Sequence, residues 1–109
     1  MSNEEAPQHL REKTAQWWLE VTSEFDLEAH HVRLLTLACE SWDRGQAARE
    51  VLAEHGMTYT DRFDQPKSRP EVAIGRDART QFARLLRELD LDHVTEPESR
   101  PPPIPSNKG

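Results

Sequence analysis

The chain is poor in the features that most readily announce a function. Its one cysteine, Cys39, sits inside an apolar helical pattern, so there is no disulfide framework and no CxxC metal or redox motif, and a reducing, cytoplasmic setting is expected. Glycine occurs four times and never as GxGxxG or GxxxxGK, which leaves no phosphate-cradling loop. No apolar run approaches the roughly eighteen residues that span a bilayer, and the opening MSNEEAPQ is acidic without an apolar stretch, so neither membrane insertion nor secretion is expected. Positive charge is in short supply. Lys plus Arg number 14 against 20 Asp plus Glu, a net charge of −6, which argues against coating nucleic acid through the whole surface and confines any DNA contact to a local patch.

Catalytic and metal-binding signatures are missing as well. No Ser or Cys nucleophile motif appears, and the acidic residues are not paired with histidine at a ligand spacing in an apolar setting, so they read as solvated helix faces. The histidines His9, His30, His31, His55 and His93 are scattered. His30 and His31 are adjacent on a helix and project about 100° apart, a poor geometry for joint coordination. An enzyme is therefore not expected, nor is a metal or other cofactor.

What remains is one small domain. The first eight residues and the tail from residue 93 are too polar or too proline-rich to pack, leaving residues 9–92 as a helical unit between a flexible N-terminus (1–8) and a Pro-rich tail (93–109). So small a core often gains stability from copies of itself or from a partner. The expected fold is mainly all-α: a helical hairpin, a short β-hairpin, a third amphipathic helix and a disordered C-terminal tail.

Hydrophobic spacing places these elements. Leu10, Trp17, Trp18, Val21 and Phe25 recur at helical steps, predicting a first helix from Leu10 to Phe25 with Asp26 positioned to cap the next. The second helix is expected from Glu28 to His55, ending at Gly56. Along it Leu27, His31, Leu34, Ala38, Ser41, Gly45, Ala48 and Leu52 form a seam with small side chains at its middle, where another backbone can come close. Packing within the chain and contact with a second subunit explain that seam equally well. Met57, Tyr59 and Phe63 alternate with polar residues ahead of Asp64-Gln65-Pro66, which fits a two-stranded hairpin. Ser68-Arg69-Pro70-Glu71 reads as a capping box with Ser68 as the cap, opening a third helix whose apolar face comprises Val72, Ala78, Phe82, Leu85, Leu86 and Leu89 and which ends near Asp90-Leu91. The tail carries Pro101, Pro102, Pro103 and Pro105, favouring an extended segment that we expect to touch a partner.

Two groups of residues are candidates for binding. On the third helix Arg76, Arg79, Arg84 and Arg87 fall in one sector of about 140°, opposite the apolar face. With Arg62, Lys67 and Arg69 they give seven basic and five acidic residues between Asp61 and Glu88, in a chain acidic elsewhere. Guanidinium groups suit phosphate by bidentate hydrogen bonding, so Arg76, Arg79, Arg84, Arg87, Arg62 and Lys67 are candidate DNA contacts; a solvated face paired with Asp77 or Glu88 is the alternative. The turn between the first two helices is not flanked by the Arg, Lys, Asn or Gln that a base-reading helix-turn-helix needs. Trp17, Trp18 and Trp42 are core or interface anchors, and since adjacent tryptophans cannot both face one core, one of Trp17 and Trp18 is a candidate for a subunit interface. The candidate oligomer surface is Trp17, Trp18, Ala38, Ser41, Trp42, Gly45 and Ala48.

The segment LLTLACESWDRGQAAREVLAEHGMTYTDRF, a Pro-containing turn, and RPEVAIGRDARTQFARLLRELDL resemble the small terminase subunits of tailed double-stranded DNA phages. The resemblance rests on Trp42-Asp43-Arg44 with Ala47, Leu52 and Gly56, on Pro70 opening the last helix, and on the Leu85-Leu86-x-x-Leu89 ending. Where such proteins commonly place glycine, in the hairpin turn and in a terminal Leu-Gly-Leu, this chain has Asp64 and Asp90. The resemblance implies a homo-oligomeric ring of helical subunits in the cytoplasm of the infected host. Such a ring binds double-stranded viral DNA and regulates the large terminase subunit, which carries the ATPase and nuclease. A protein-only helical adaptor that binds no nucleic acid is the competing expectation.

Overall fold

A computed structural model of the chain describes residues 5–89. Three helices account for most of it: α1 (Glu12–Glu24), α2 (Ala29–His55) and α3 (Pro70–Leu89), with strands β1 (Thr58–Thr60) and β2 (Pro66–Ser68) between α2 and α3. The strands pair antiparallel with Thr58 opposite Ser68, Tyr59 opposite Lys67 and Thr60 opposite Pro66. The mainly helical fold with a small hairpin ahead of the last helix is the expected one. The Pro-rich tail and the Asp90-Leu91 helix end lie outside the described residues.

The central element is α2, which α3 follows along most of its length while α1 crosses it more briefly. At one end Leu10, Trp18, Val21, Leu35, Cys39 and Leu89 form the core, with Ala6 packed against it, so packing begins earlier in the chain than residue 9. Burying an indole contributes several kcal/mol only when its N–H is satisfied. Trp18 meets both conditions: 3% of it is exposed, and Nε1 donates to Thr36 Oγ1 at 3.1 Å. Farther along, α2 and α3 approach through small residues. A Cβ on Gly45 would sit 3.4 Å from Ala78 Cβ, and one on Gly75 would sit 3.6 Å from Ala48 Cβ.

Capping departs from expectation at two places. Asp26 does not cap α2; the cap is Glu28, whose N–H donates to His31 Nδ1 at 3.4 Å while its carbonyl accepts from His31 and Val32. The half-buried Leu27 packs on the core and intervenes, leaving Asp26 two residues upstream and exposed. Ser68 does not cap α3 either. Its backbone pairs with Thr58 in the ribbon, its hydroxyl turns toward the Arg69 carbonyl, and that carbonyl accepts from Val72 N–H at 3.0 Å as the helix starts at Pro70. Strand pairing thus outcompetes an exposed cap worth about 1 kcal/mol.

The hairpin turn is built by Asp61 rather than by Pro66, which stands inside β2. Asp61 Oδ1 accepts from the N–H groups of Phe63 (2.8 Å) and Gln65 (2.9 Å), and its carbonyl accepts from Asp64 at 2.9 Å. Asp64 takes φ 65°, the left-handed conformation that glycine adopts freely and aspartate tolerates.

Candidate nucleic-acid and subunit interfaces

Helical periodicity sets the arginine face. Gly75, Ala78, Leu85 and Leu89 turn α3 inward, which leaves Arg76, Arg79, Arg84 and Arg87 exposed on the far side. Arg76 lies 3.6 Å from Asp77. Among the described residues Arg79, Arg84 and Arg87 make no ion pair, and Glu88 does not engage them. Arg84 and Arg87 therefore offer their guanidinium donors to an anion, while Arg79, also exposed, reaches back with Nη1 toward the buried Gly75.

The two hairpin cations are differently placed. Arg62 lies over the Phe63 ring at 5.0 Å, and Lys67 Nζ is 4.0 Å from Asp61. Arg69, their neighbour in the basic segment, stacks over Tyr59 at 5.7 Å with its Nε buried and without a hydrogen-bond partner. These contacts are local to the ribbon and orient it. They leave apolar side chains open: Phe63 is 69% exposed at the turn, and Met57 62% at the base.

The small-residue seam is occupied within the chain. Ala38, Ser41 and Ala48 are buried in the single chain, and where α2 meets α3 Gly45 faces Ala78 and Ala48 faces Gly75. The paired tryptophans divide as expected of neighbours on one helix. Trp18 enters the core. Trp17 turns away from it and lies 6.1 Å from the Phe82 ring, while Trp42 from α2 lies 5.0 Å from the same ring. These three aromatics wall an open groove of about 980 Å³ whose rim includes Arg11, Glu12, Lys13 and Gln46. Trp42 remains 46% exposed. Phe82 was expected in the core because it shares the apolar period of α3; the signal that a groove exists was the Trp17-Trp18 pair, which forces one indole outward.

Polar contacts fix the groove wall. Asp43 on α2 takes the Thr14 hydroxyl at 2.6 Å and the Arg11 N–H at 2.9 Å, tying the first turn of α1 to α2. Arg11 also donates twice to Glu50, at 2.7 and 3.1 Å. That hydrogen bond holds the Glu50 carboxylate below its ordinary value and raises Arg11, and because both groups are exposed the pair positions the helix more than it stabilises it.

Among the described residues the grouping with metal-ligand chemistry is Glu28, His30 and His31. The two imidazoles stack at 4.1 Å, His31 Nδ1 is engaged at the helix cap, and the positive end of α2 disfavours a cation there. The ligand atoms of the three residues lie within 4.8 Å of one another, closer than the roughly 100° offset of His30 and His31 leads one to expect, because Glu28 and His31 meet at the helix cap.

A family model described as phage terminase, small subunit, matches residues 15–102. The chain belongs to the phage terminase small subunit family. The match starts inside α1 and takes in α2, the hairpin and α3, and so includes the arginine face, Trp17, Trp42 and Phe82. No curated protein and no solved structure matches the chain. No helix among the described residues is long and apolar enough to cross a membrane.

Proposed function

We propose that this terminase small subunit is the non-catalytic, DNA-selecting component of a phage genome-packaging machine, acting in the cytoplasm of the infected host as a homo-oligomeric ring. The large subunit supplies the ATPase and nuclease, and the small subunit regulates it. The observation that carries the DNA-binding part is the row of Arg79, Arg84 and Arg87, exposed on a rigid helix with no ion pair among the described residues. One such row is a weak site on a chain of charge −6. Repeated by symmetry it becomes a belt of phosphate contacts, where each contact releases counterions and so steepens the dependence on salt. Arg76 extends the row; Arg62 and Lys67, engaged in the hairpin, are its secondary members.

The same net charge favours the adaptor reading, and one experiment separates the two. Duplex binding is measured across a salt series for the natural chain and for Arg79→Ala/Arg84→Ala/Arg87→Ala. The slope of log affinity against log salt should fall by about 0.9 for each phosphate contact removed. A natural chain that binds no duplex at low salt would leave the adaptor reading standing.

Trp17 and Trp42 support self-association, since an aromatic groove open to water is the composition of an interface centre.

A further inference from the structure

Self-association through a ring requires two unlike surfaces on each chain, one to give and one to receive, because a contact between like surfaces closes as a dimer. Besides the singly exposed Leu19, Leu37 and Ile74, the described residues carry two apolar surfaces that differ in shape. One is concave: the groove walled by Trp17, Trp42 and Phe82. The other is convex: the hairpin, with Phe63 at its turn 69% exposed and Met57 at its base 62% exposed.

Resting on the proposed self-association, we infer that the hairpin of one copy seats in the aromatic groove of the next, with Phe63 as the inserted side chain, so that identical chains join head to tail.

The two surfaces cannot satisfy each other within one chain. Trp42 and His55 lie on one uninterrupted helix, α2, and the thirteen residues from one to the other place the hairpin about 20 Å from the groove. Strands of three residues reach only about 10 Å. The hairpin is also held in shape before any contact is made. Asp61 closes its turn with two hydrogen bonds, and Arg62 lies against one face of Phe63, so little ordering entropy is lost on docking.

Charge fits as well. Glu12 and Lys13 on the groove rim, and Arg62 and Asp64 at the hairpin turn, have no ion-pair partner among the described residues. The two rim charges without a partner thus meet opposite charges on the incoming hairpin, Arg11 being paired with Glu50. Arg62 passing near Glu12, and Asp64 near Lys13, would set the register of the contact. Arg84 and Arg87, roughly 160° and 140° around α3 from the groove residue Phe82, stay open in this contact, while Arg62 passes from the DNA row to the subunit contact.

The test uses full-length chains and two exposed positions whose substitution spares the core, Phe63→Ser and Trp42→Ala, with circular dichroism to verify helix content. In sedimentation velocity each variant alone should lose the assembly of the natural chain, its association weakened at least tenfold. Mixed in equal amounts they should form a dimer and nothing larger. The hairpin of the Trp42→Ala chain still finds the intact groove of the Phe63→Ser chain, and growth stops there because the other two surfaces are broken. Asp64→Cys and Lys13→Cys chains, which keep Phe63 and Trp42, should on mixing under mild oxidation give a disulfide-linked pair of unlike chains, Cys39 being buried. A Phe63→Ser chain that assembles like the natural one, or a mixture that stays monomeric, overturns the contact while leaving the ring reading intact. A natural chain solitary at every concentration overturns both.

Discussion

Replacing Gly75 by alanine should stabilise the fold, although Gly75 is buried where α3 meets α2. Its φ is not positive, unlike that of Gly56, so a side chain introduces no backbone strain. The new Cβ would meet Ala48 Cβ at 3.6 Å and Arg79 Nη1 at 3.5 Å, the first an ordinary van der Waals distance and the second the mobile end of a long side chain. Alanine in place of glycine in a helix interior gains about 1 kcal/mol, and a buried methyl adds up to about 0.8 kcal/mol. After Arg79 shifts aside, a net gain of about 1 kcal/mol is expected, equivalent to a rise in Tm of about 4–8 °C for a domain this small. Thermal melts followed by far-ultraviolet circular dichroism, run at one protein concentration because association also moves Tm, measure it. Gly75→Leu is the control: its branch would enter Ala48 and should lower stability by about 1–3 kcal/mol. Gly45→Ala, with its Cβ at 3.4 Å from Ala78, should gain less than Gly75→Ala. A Gly75→Ala chain melting below the natural one would refute the reasoning, because it would mean that α2 and α3 require a closer approach than these distances record.

Asp43→Ala should cost about 1–3 kcal/mol in chemical denaturation, since it strands the buried Thr14 hydroxyl and frees the start of α1, and a loss below about 0.3 kcal/mol would count against that anchor. Burial, followed by the charges of Asp43 and Glu40, pushes the Cys39 thiol up to about 12, so it should resist a thiol reagent at neutral pH until the chain unfolds. The same shift means that the folded chain keeps a proton the unfolded chain releases. Its contribution to stability is complete below the ordinary thiol value and declines as pH rises from there toward 12; Cys39→Ala should remove that decline from alkaline stability curves. The Glu50 shift runs the other way. Its folded value is depressed by the Arg11 hydrogen bond, so its small contribution is present above the ordinary carboxylate value and disappears as pH falls below it, a dependence that Glu50→Gln should abolish in acid titrations of stability.

Particular residues show how far the sequence reached. The periods of α1, α2 and α3 were readable because burying one face of a helix demands apolar residues every three or four positions, and Gly56 marked the end of α2 because little else takes its backbone angle comfortably. The exposed row of Arg79, Arg84 and Arg87 followed from the same arithmetic: opposite a buried stripe lies solvent. Caps were less legible. Asp26 and Ser68 have the right chemistry for caps, but the packing of Leu27 and the pairing of Ser68 with Thr58 assigned their backbones elsewhere.

The sequence by itself determined the helical class, the order of elements, the hairpin and the arginine face, because each depends on neighbours within a few positions along the chain. Only the tertiary structure decided where the small seam of Ala38, Ser41, Gly45 and Ala48 is used, which of Trp17 and Trp18 enters the core, and that Trp17, Trp42 and Phe82 converge on one groove. Those outcomes depend on the angle and depth at which three helices meet. That geometry is set by the summed packing of residues as distant as Thr14 and Asp43, or Gly45 and Ala78, and no local period encodes it.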